Sequence, residues 1–517
     1  MKRRFSLVAA IAVATAVAFV PAATTAVGTD SSQLRAAVTV ANINGHLASF
    51  QQFAQSSIPA FGHATRVDGS LGFTQSVDYV ANQMRAAGYL VTVQSFTFDR
   101  FEETAPPIFQ QISPTARTYL QDDEFATMDY AGSGDVTARL VPVGGIVIPS
   151  PGGGASGCAA ADFNSFPAGS IALIQRGTCT FRQKATNAQT AGAAAVVIFN
   201  EGNVDPSDDR IGTVFGTLDP PQMTLPVIGT SFAVGEQLYN QIQGGASVTV
   251  RVAVTATVVR TESSNVLADT PTGRADRTVV VGAHLDSVNA GPGINDNGSG
   301  SGAILEVAKQ MAALGVKPTN RVRFAWWGGE EFGLLGAEHY LATLSKAELK
   351  NLMLNLNFDM VASPNFVRFV YDGDGSATGT KGPSGSGNIE SVFLDYFASQ
   401  GLASEPTAFD GRSDYGPFID RGIPAGGLFT GAEGIKTARE AGIYGGTAGT
   451  PYDPCYHEAC DTYPSNINAT ALDQMSDAIA DSVLQFAMTT SSTNGTGKAS
   501  SSAQQSVGEF KGSLLRR

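Results

Sequence analysis

The chain has 517 residues, 43% of them apolar and 15% charged, room for about two to four domains with cores of their own. Its 58 glycines and 24 prolines follow no collagen period, and its apolar share excludes wholesale disorder. A net charge of −13, from 33 basic and 46 acidic residues, presents no positive field to a phosphate backbone and argues against nucleic acid as a partner.

Lys2, Arg3 and Arg4 precede an Ala/Val-rich run over 5–20 and then Pro21-Ala22-Ala23, the pattern of a secretory signal peptide over 1–26, cut between Ala22 and Ala26. That run is too short and alanine-diluted for a membrane anchor, and no later stretch is long enough to span a bilayer. The mature chain, near −16, is expected outside the cell with no membrane partner. Its four cysteines allow three pairings, and local pairing of Cys158 with Cys179 and Cys455 with Cys460 is the simplest. No C-x-x-C spacing supports a zinc finger.

Helical patterns cover 33–55 and 73–87, and 89–98 alternates as a strand. A Pro/Asp/Glu-rich stretch over 102–123 then divides the first part of a split unit, 27–134, from a Gly/Ala/Val-rich insert over 135–260. Within the insert, SIALIQ (170–175), AVVIFN (195–200) and 248–259 read as strands, and 181–191 as a helix. Over 261–489, the strands RTVVVGA (277–283), NRVRFAWW (320–327) and LMLNLNF (352–358) alternate with helices at 300–314, 334–344, 389–400 and 469–488. This predicts an α/β fold of three layers, a mostly parallel sheet with helices on both faces. The Ser/Thr/Gly/Gln-rich end, 490–517, reads as a disordered or removable tail.

Chemistry collects where the strands end. His284-Leu285-Asp286 follows the first strand of the second half, so His284 is a candidate ligand with Asp286 holding its other ring nitrogen. Asp296 sits in the glycine-rich loop GPGINDNGSGSG (291–302), which matches neither phosphate-binding glycine pattern. Glu330-Glu331 follows the second strand and Asp359 the third. Adjacent buried carboxylates are costly unless a cation compensates them. Cys455-Tyr456-His457 adds a second histidine. Two histidines and a surplus of carboxylates suit two zinc ions sharing one acid better than calcium or magnesium alone.

The runs GAHLDSVNAGPGINDNGSGSG, RFAWWGGEEFGLLG, NFDM, GRSDYGPF, PAGGLFTGAEG and CYHEAC resemble the secreted co-catalytic di-zinc aminopeptidases. The bacterial leucyl type of Streptomyces is the nearer likeness and the Vibrio enzyme the more distant. IALIQRGTCTFRQKATNAQTAGAAAVVIFNEG resembles a protease-associated domain, often inserted at this position. The resemblance implies His284 and Asp359 on one zinc, Glu331 and His457 on the other, and Asp296 bridging. It also implies Glu330 as general base, Tyr456 as oxyanion donor, and peptides with a free N-terminus and a large hydrophobic first residue such as Leu as substrates. Arg412 would meet a substrate carbonyl or carboxylate, or pair with Asp414. Asp473 and Asp477 form a solvated acidic face, or a calcium pair as in some similar enzymes. His46, His63 and His339 are read as structural, the sequons at Asn297, Asn468 and Asn494 as chance matches, and the protein as a monomer. The competing readings are a carboxypeptidase or glutaminyl cyclase on the same fold, and a non-catalytic receptor-like ectodomain. A GxSxG serine hydrolase elbow is absent from the sequence.

Overall fold

The structure, a computed structural model, describes residues 29–148, 154–202, 204–205 and 208–490. The signal peptide, and the tail from 491 on with its Asn494 sequon, lie outside the described residues. Four parallel strands make the centre of the larger sheet, in the spatial order Ala425–Phe429, Leu352–Phe358, Arg274–His284 and Asn320–Trp327. Their near-continuous apolar runs are buried on both faces, as a covered parallel sheet requires. The sheet is mixed: Phe369–Tyr371 runs antiparallel to Ala425–Phe429, and Thr249–Asp269 antiparallel to Asn320–Trp327.

Helices Val40–Gln55, Leu71–Ala86, Gly300–Ala313, Ser386–Ser399 and Ala469–Met488 contribute to one core, and Leu335–Thr343 and Gly416–Asp420 to the opposite one. Adjacent strand residues face opposite ways, so Trp326 enters the first core and Trp327 the second, both fully buried. The single helix expected over 33–55 is two, Ser32–Ala37 and Val40–Gln55, because Val38 is extended and the Thr39 side chain caps the second.

The strand expected to end near 98 instead runs from Leu90 to Ser113, antiparallel to Thr249–Asp269 along nearly its whole length. It passes through Pro106-Pro107 where the register shifts, between Ala105 and Ile108. This two-stranded ribbon joins the units: Thr249–Asp269 pairs with Asn320–Trp327 at one end and with Gly134–Pro142 at the other. The second unit has its own core, over the parallel strands Gly134–Pro142, Ile171–Gln175, Ala195–Phe199 and Val227–Thr230. Besides the expected helix, Phe181–Thr190, it carries a second, Phe232–Gln243, capped by Ser231. A Cys158–Cys179 disulfide staples it.

Candidate metal centre

His284 pairs with Trp327, and Gly282 with Asn357, so three neighbouring parallel strands finish side by side. Ligands bind beyond such carboxyl ends. Here His284, the turn carrying Glu330-Glu331, and Asp359 converge. Gly300 lets the following helix start against the third strand: a Cβ there would lie 2.2 Å from the Phe358 carbonyl oxygen. That close approach brings Asp296 to the same place. His457 arrives on the loop closed by the Cys455–Cys460 disulfide, in a left-handed conformation at φ 59°.

The side chains fall into two groups. His284 Nε2 lies 3.1 Å from Asp296 Oδ1 and 3.3 Å from Asp359 Oδ1, and His457 Nε2 lies 3.2 Å from Asp296 Oδ2 and 3.1 Å from Glu331 Oε2. Each oxygen of Asp296 thus faces a different histidine. Ligands about 2.0–2.2 Å from a tetrahedral zinc sit about 3.3–3.6 Å from one another, so both spacings lie close to the short end of what the ion takes. Glu330 stands further off, with Oε2 3.9 Å from His284 Nε2. Glu331 Oε1 and Asp359 Oδ1 are buried without a hydrogen-bond partner. Buried polar atoms are rarely left so, and a cation would satisfy both.

The supports are as ordered as the site. Asp286 Oδ1 lies 3.5 Å from His284 Nδ1, and its two oxygens accept the amides of Glu330 and Glu331 at 3.3 and 3.2 Å. Asp68 accepts the Gly329 amide at 2.9 Å, where Gly329 turns at φ 67°. Asp461 accepts the amides of Asn295 and Asp296 at 2.8 and 3.0 Å, and Ser413 Oγ donates to Asp359 at 2.6 Å. The fully buried Arg66 guanidinium ties the loop down through the carbonyls of Leu285, Pro292 and Gly293. Sequence reasoning missed Arg66, Asp68, Asp461 and Ser413. The one signal was for Arg66 and Asp68, charges between apolar and glycine residues in Arg66-Val67-Asp68-Gly69.

Burial dominates the electrostatics. It pushes the Glu330 carboxyl well above its usual range, with Asp414, Asp359 and Glu331 adding to the rise against the pull of His284. Burial also lifts Asp461 to about 7. For His457, burial disfavours the charged ring, yet Glu331 and Asp296 lift it to about 10. His284 rises for the same reason, through Asp359 and Glu330. The cluster therefore holds more buried negative charge than its own histidines and Arg66 balance, which fits a site built for cations.

Some expectations need correction. Arg412 does not pair with Asp414: it donates to Glu433 Oε1 at 2.6 Å and to the Tyr456 hydroxyl at 3.2 Å. Asp414 is fully buried, and neither of its oxygens has a hydrogen-bond partner. His46, read as structural, pairs with the buried Glu306 at 3.2 Å, contributed by a helix distant in sequence. A calcium at Asp473 and Asp477 finds no support, because Asp477 faces Arg35 at 3.8 Å and, among the described residues, no three acids there bring their oxygens within 4.8 Å of one another. The one acidic grouping outside the centre among them, Asp372, Asp374 and Glu390, is occupied by backbone amides.

A cavity of about 1230 Å³ opens over the centre. Met360, Phe369, Tyr371 and Phe429 line it beside Tyr456 and His457, and ribbon residues 100–104 and Val259 line it as well. No helix among the described residues is long and apolar enough to cross a membrane.

The chain is 47% identical over 426 residues to an aminopeptidase of Pseudomonas aeruginosa, covering 82% of this chain and 77% of that protein. It is 39% identical over 431 residues to leucine aminopeptidase 2 of Arthroderma otae, covering 83% and 81%. Among solved structures, the aminopeptidase from Aneurinibacillus sp. strain AM-1 superposes with a TM-score of 0.69 at 27% identity, covering 89% of this chain and 96% of that one. The zinc aminopeptidase of Bacillus subtilis shares the fold, with a TM-score of 0.57 at 24% identity over 88% and 98%. The profile of the PA domain matches residues 136–238, within the second unit. The profile of peptidase family M28 matches 265–483, which holds all five expected ligands, and with relatives this similar over most of both chains the protein belongs to peptidase family M28.

Proposed function

We propose that the protein is a secreted di-zinc aminopeptidase that removes large hydrophobic residues such as leucine from peptides with a free N-terminus. The observation that carries this reading is Asp296, whose two oxygens face two separate histidine–carboxylate groups. His284 and Asp359 would hold one ion, Glu331 and His457 the other, and Asp296 both. When bound, the two zinc ions supply Lewis-acid activation of water and of the scissile carbonyl.

Glu330, 3.9 Å from His284 Nε2 and further from it than Asp296 or Asp359, takes the proton of the attacking water on its carboxylate and returns it to the leaving amine nitrogen. Tyr456 donates its hydroxyl to the developing oxyanion, and Arg412 steadies that hydroxyl from behind. Glu330 and Asp359 offer negative charge to the substrate α-ammonium, which favours an aminopeptidase over an endopeptidase. The apolar wall of Met360, Phe369 and Phe429 suits a leucyl side chain. The signal pattern and two disulfides support export.

Metal analysis combined with a peptide panel tests this reading. About two zinc ions per chain, cleavage of leucyl peptides and no cleavage of their N-acetylated forms are expected. Full activity with one zinc would overturn the di-zinc assignment, and cleavage of the blocked peptides would overturn the aminopeptidase assignment.

A further inference from the structure

The cavity exceeds the roughly 300–1,000 Å³ of a typical small-molecule site and is larger than one amino acid needs. A peptide must therefore reach past its first residue, toward walls outside the metal centre. One such wall is the ribbon. Among the lining side chains, the lysines and arginines number two, Arg412 and Arg100. Arg412 is committed beside the centre to Glu433 and Tyr456. Arg100, on the ribbon, is only 6% exposed. Its guanidinium lies 5.9 Å from the Phe61 ring centroid and pairs with Glu102, two residues along the same strand, while Nε is buried without a partner.

An arginine held this way is pre-organised, partly desolvated and short of partners. We propose that Arg100 anchors the C-terminal carboxylate of short peptide substrates, a subsite supplied by the ribbon. The inference rests on the aminopeptidase reading above and adds a substrate class to it, short free-acid peptides. A carboxylate meets a guanidinium through two charge-assisted hydrogen bonds, which an amide or an anilide cannot reproduce. Such a substrate has opposite charges at its two ends: its ammonium goes to the carboxylates of the metal centre and its carboxylate to Arg100. Glu102 is the competitor. Its side chain is 32% exposed, so it can turn to water when a substrate carboxylate takes its place.

The test compares kcat/KM for Leu-Gly-Gly, its C-terminal amide and leucine p-nitroanilide, using the zinc-loaded enzyme. The wild type should favour the free acid over the amide by about tenfold or more, mainly through KM. Arg100→Met should bring that ratio close to one, and Glu102→Gln should raise it by freeing the guanidinium. If Arg100→Met fails to fold, Arg100→Lys serves, with an expected intermediate ratio. Equal rates on acid and amide in the wild type would overturn the anchor, as would equal losses on both in a folded Arg100 variant. A wild type that cleaves the amide and the anilide without preferring the acid breaks the anchor alone. One that cleaves none of the three substrates breaks the aminopeptidase reading, and the anchor falls with it.

Discussion

The two units of this molecule are built alike and finish differently. Both stack parallel strands whose carboxyl ends carry polar residues. In the PA unit those residues answer one another: Gln175 donates to the carbonyls of Val147 and Glu201, Asn200 to that of Gly212, and the fully buried Glu201 pairs with Arg210 at 2.6 Å. In the peptidase unit the strand-end groups leave Glu331 Oε1 and Asp359 Oδ1, and a neighbouring loop leaves both oxygens of Asp414, buried without a hydrogen-bond partner. Topology is shared, and satisfaction is what separates a structural strand end from a chemical one.

The sharpest way to break that contrast is at the glutamate pair. Glu330→Gln should keep both zinc ions and lose about 100- to 10,000-fold in kcat, since an amide accepts no proton. Glu331→Gln should lose metal as well, and zinc analysis beside kinetics separates the two. The reverse pattern would exchange their roles. Next in size, Tyr456→Phe should cost about 100- to 1,000-fold in kcat with metal content unchanged. Replacing Cys455 and Cys460 together by serine should loosen the loop that presents His457. A weakening of zinc affinity by about 10- to 100-fold, read by competition with a chelator, is expected.

Smaller effects belong to the other unit. Glu201→Gln should cost about 1–3 kcal/mol in PA-unit stability, measured by denaturant unfolding, and leave leucine p-nitroanilide turnover within about twofold. Removing the PA unit at the tip of the ribbon, with both strands kept, should also preserve turnover of that small substrate. A loss near 1,000-fold in a folded, metallated deletion would move the PA unit into the active site.

Much of the peptidase unit was legible because its strands are largely apolar runs that stop at His284, Glu330-Glu331 and Asp359. Hydrophobicity places the strand, and the acid marks its end. The ribbon was not legible, since Pro106-Pro107 and the acids around them read as a separator. The chain accommodates both prolines at a register shift, and no local pattern reveals a partner strand so far along the sequence. Asp68 and Asp461 escaped for a related reason. They act on amides of Gly329 and Asp296, residues distant in sequence that only the folded chain brings to them. The His46–Glu306 contact joins a helix of the first segment to one following the metal loop, and periodicity is silent about such pairs.

The ribbon also has a consequence for assembly of the chain. Leu90 pairs with Asp269, and Ser113 with Thr249, so the whole PA unit lies within one hairpin of the larger sheet. Closing so long a loop of unfolded chain carries an entropic cost that grows with its length. Once the PA core has condensed, Ser113 and Thr249 already stand one strand spacing apart, about 4.8 Å, and the peptidase sheet has only a short turn left to close. The guest domain thus acts as the hairpin tip of its host, and a domain whose own ends meet at that spacing could be exchanged for it without the host sheet registering the change.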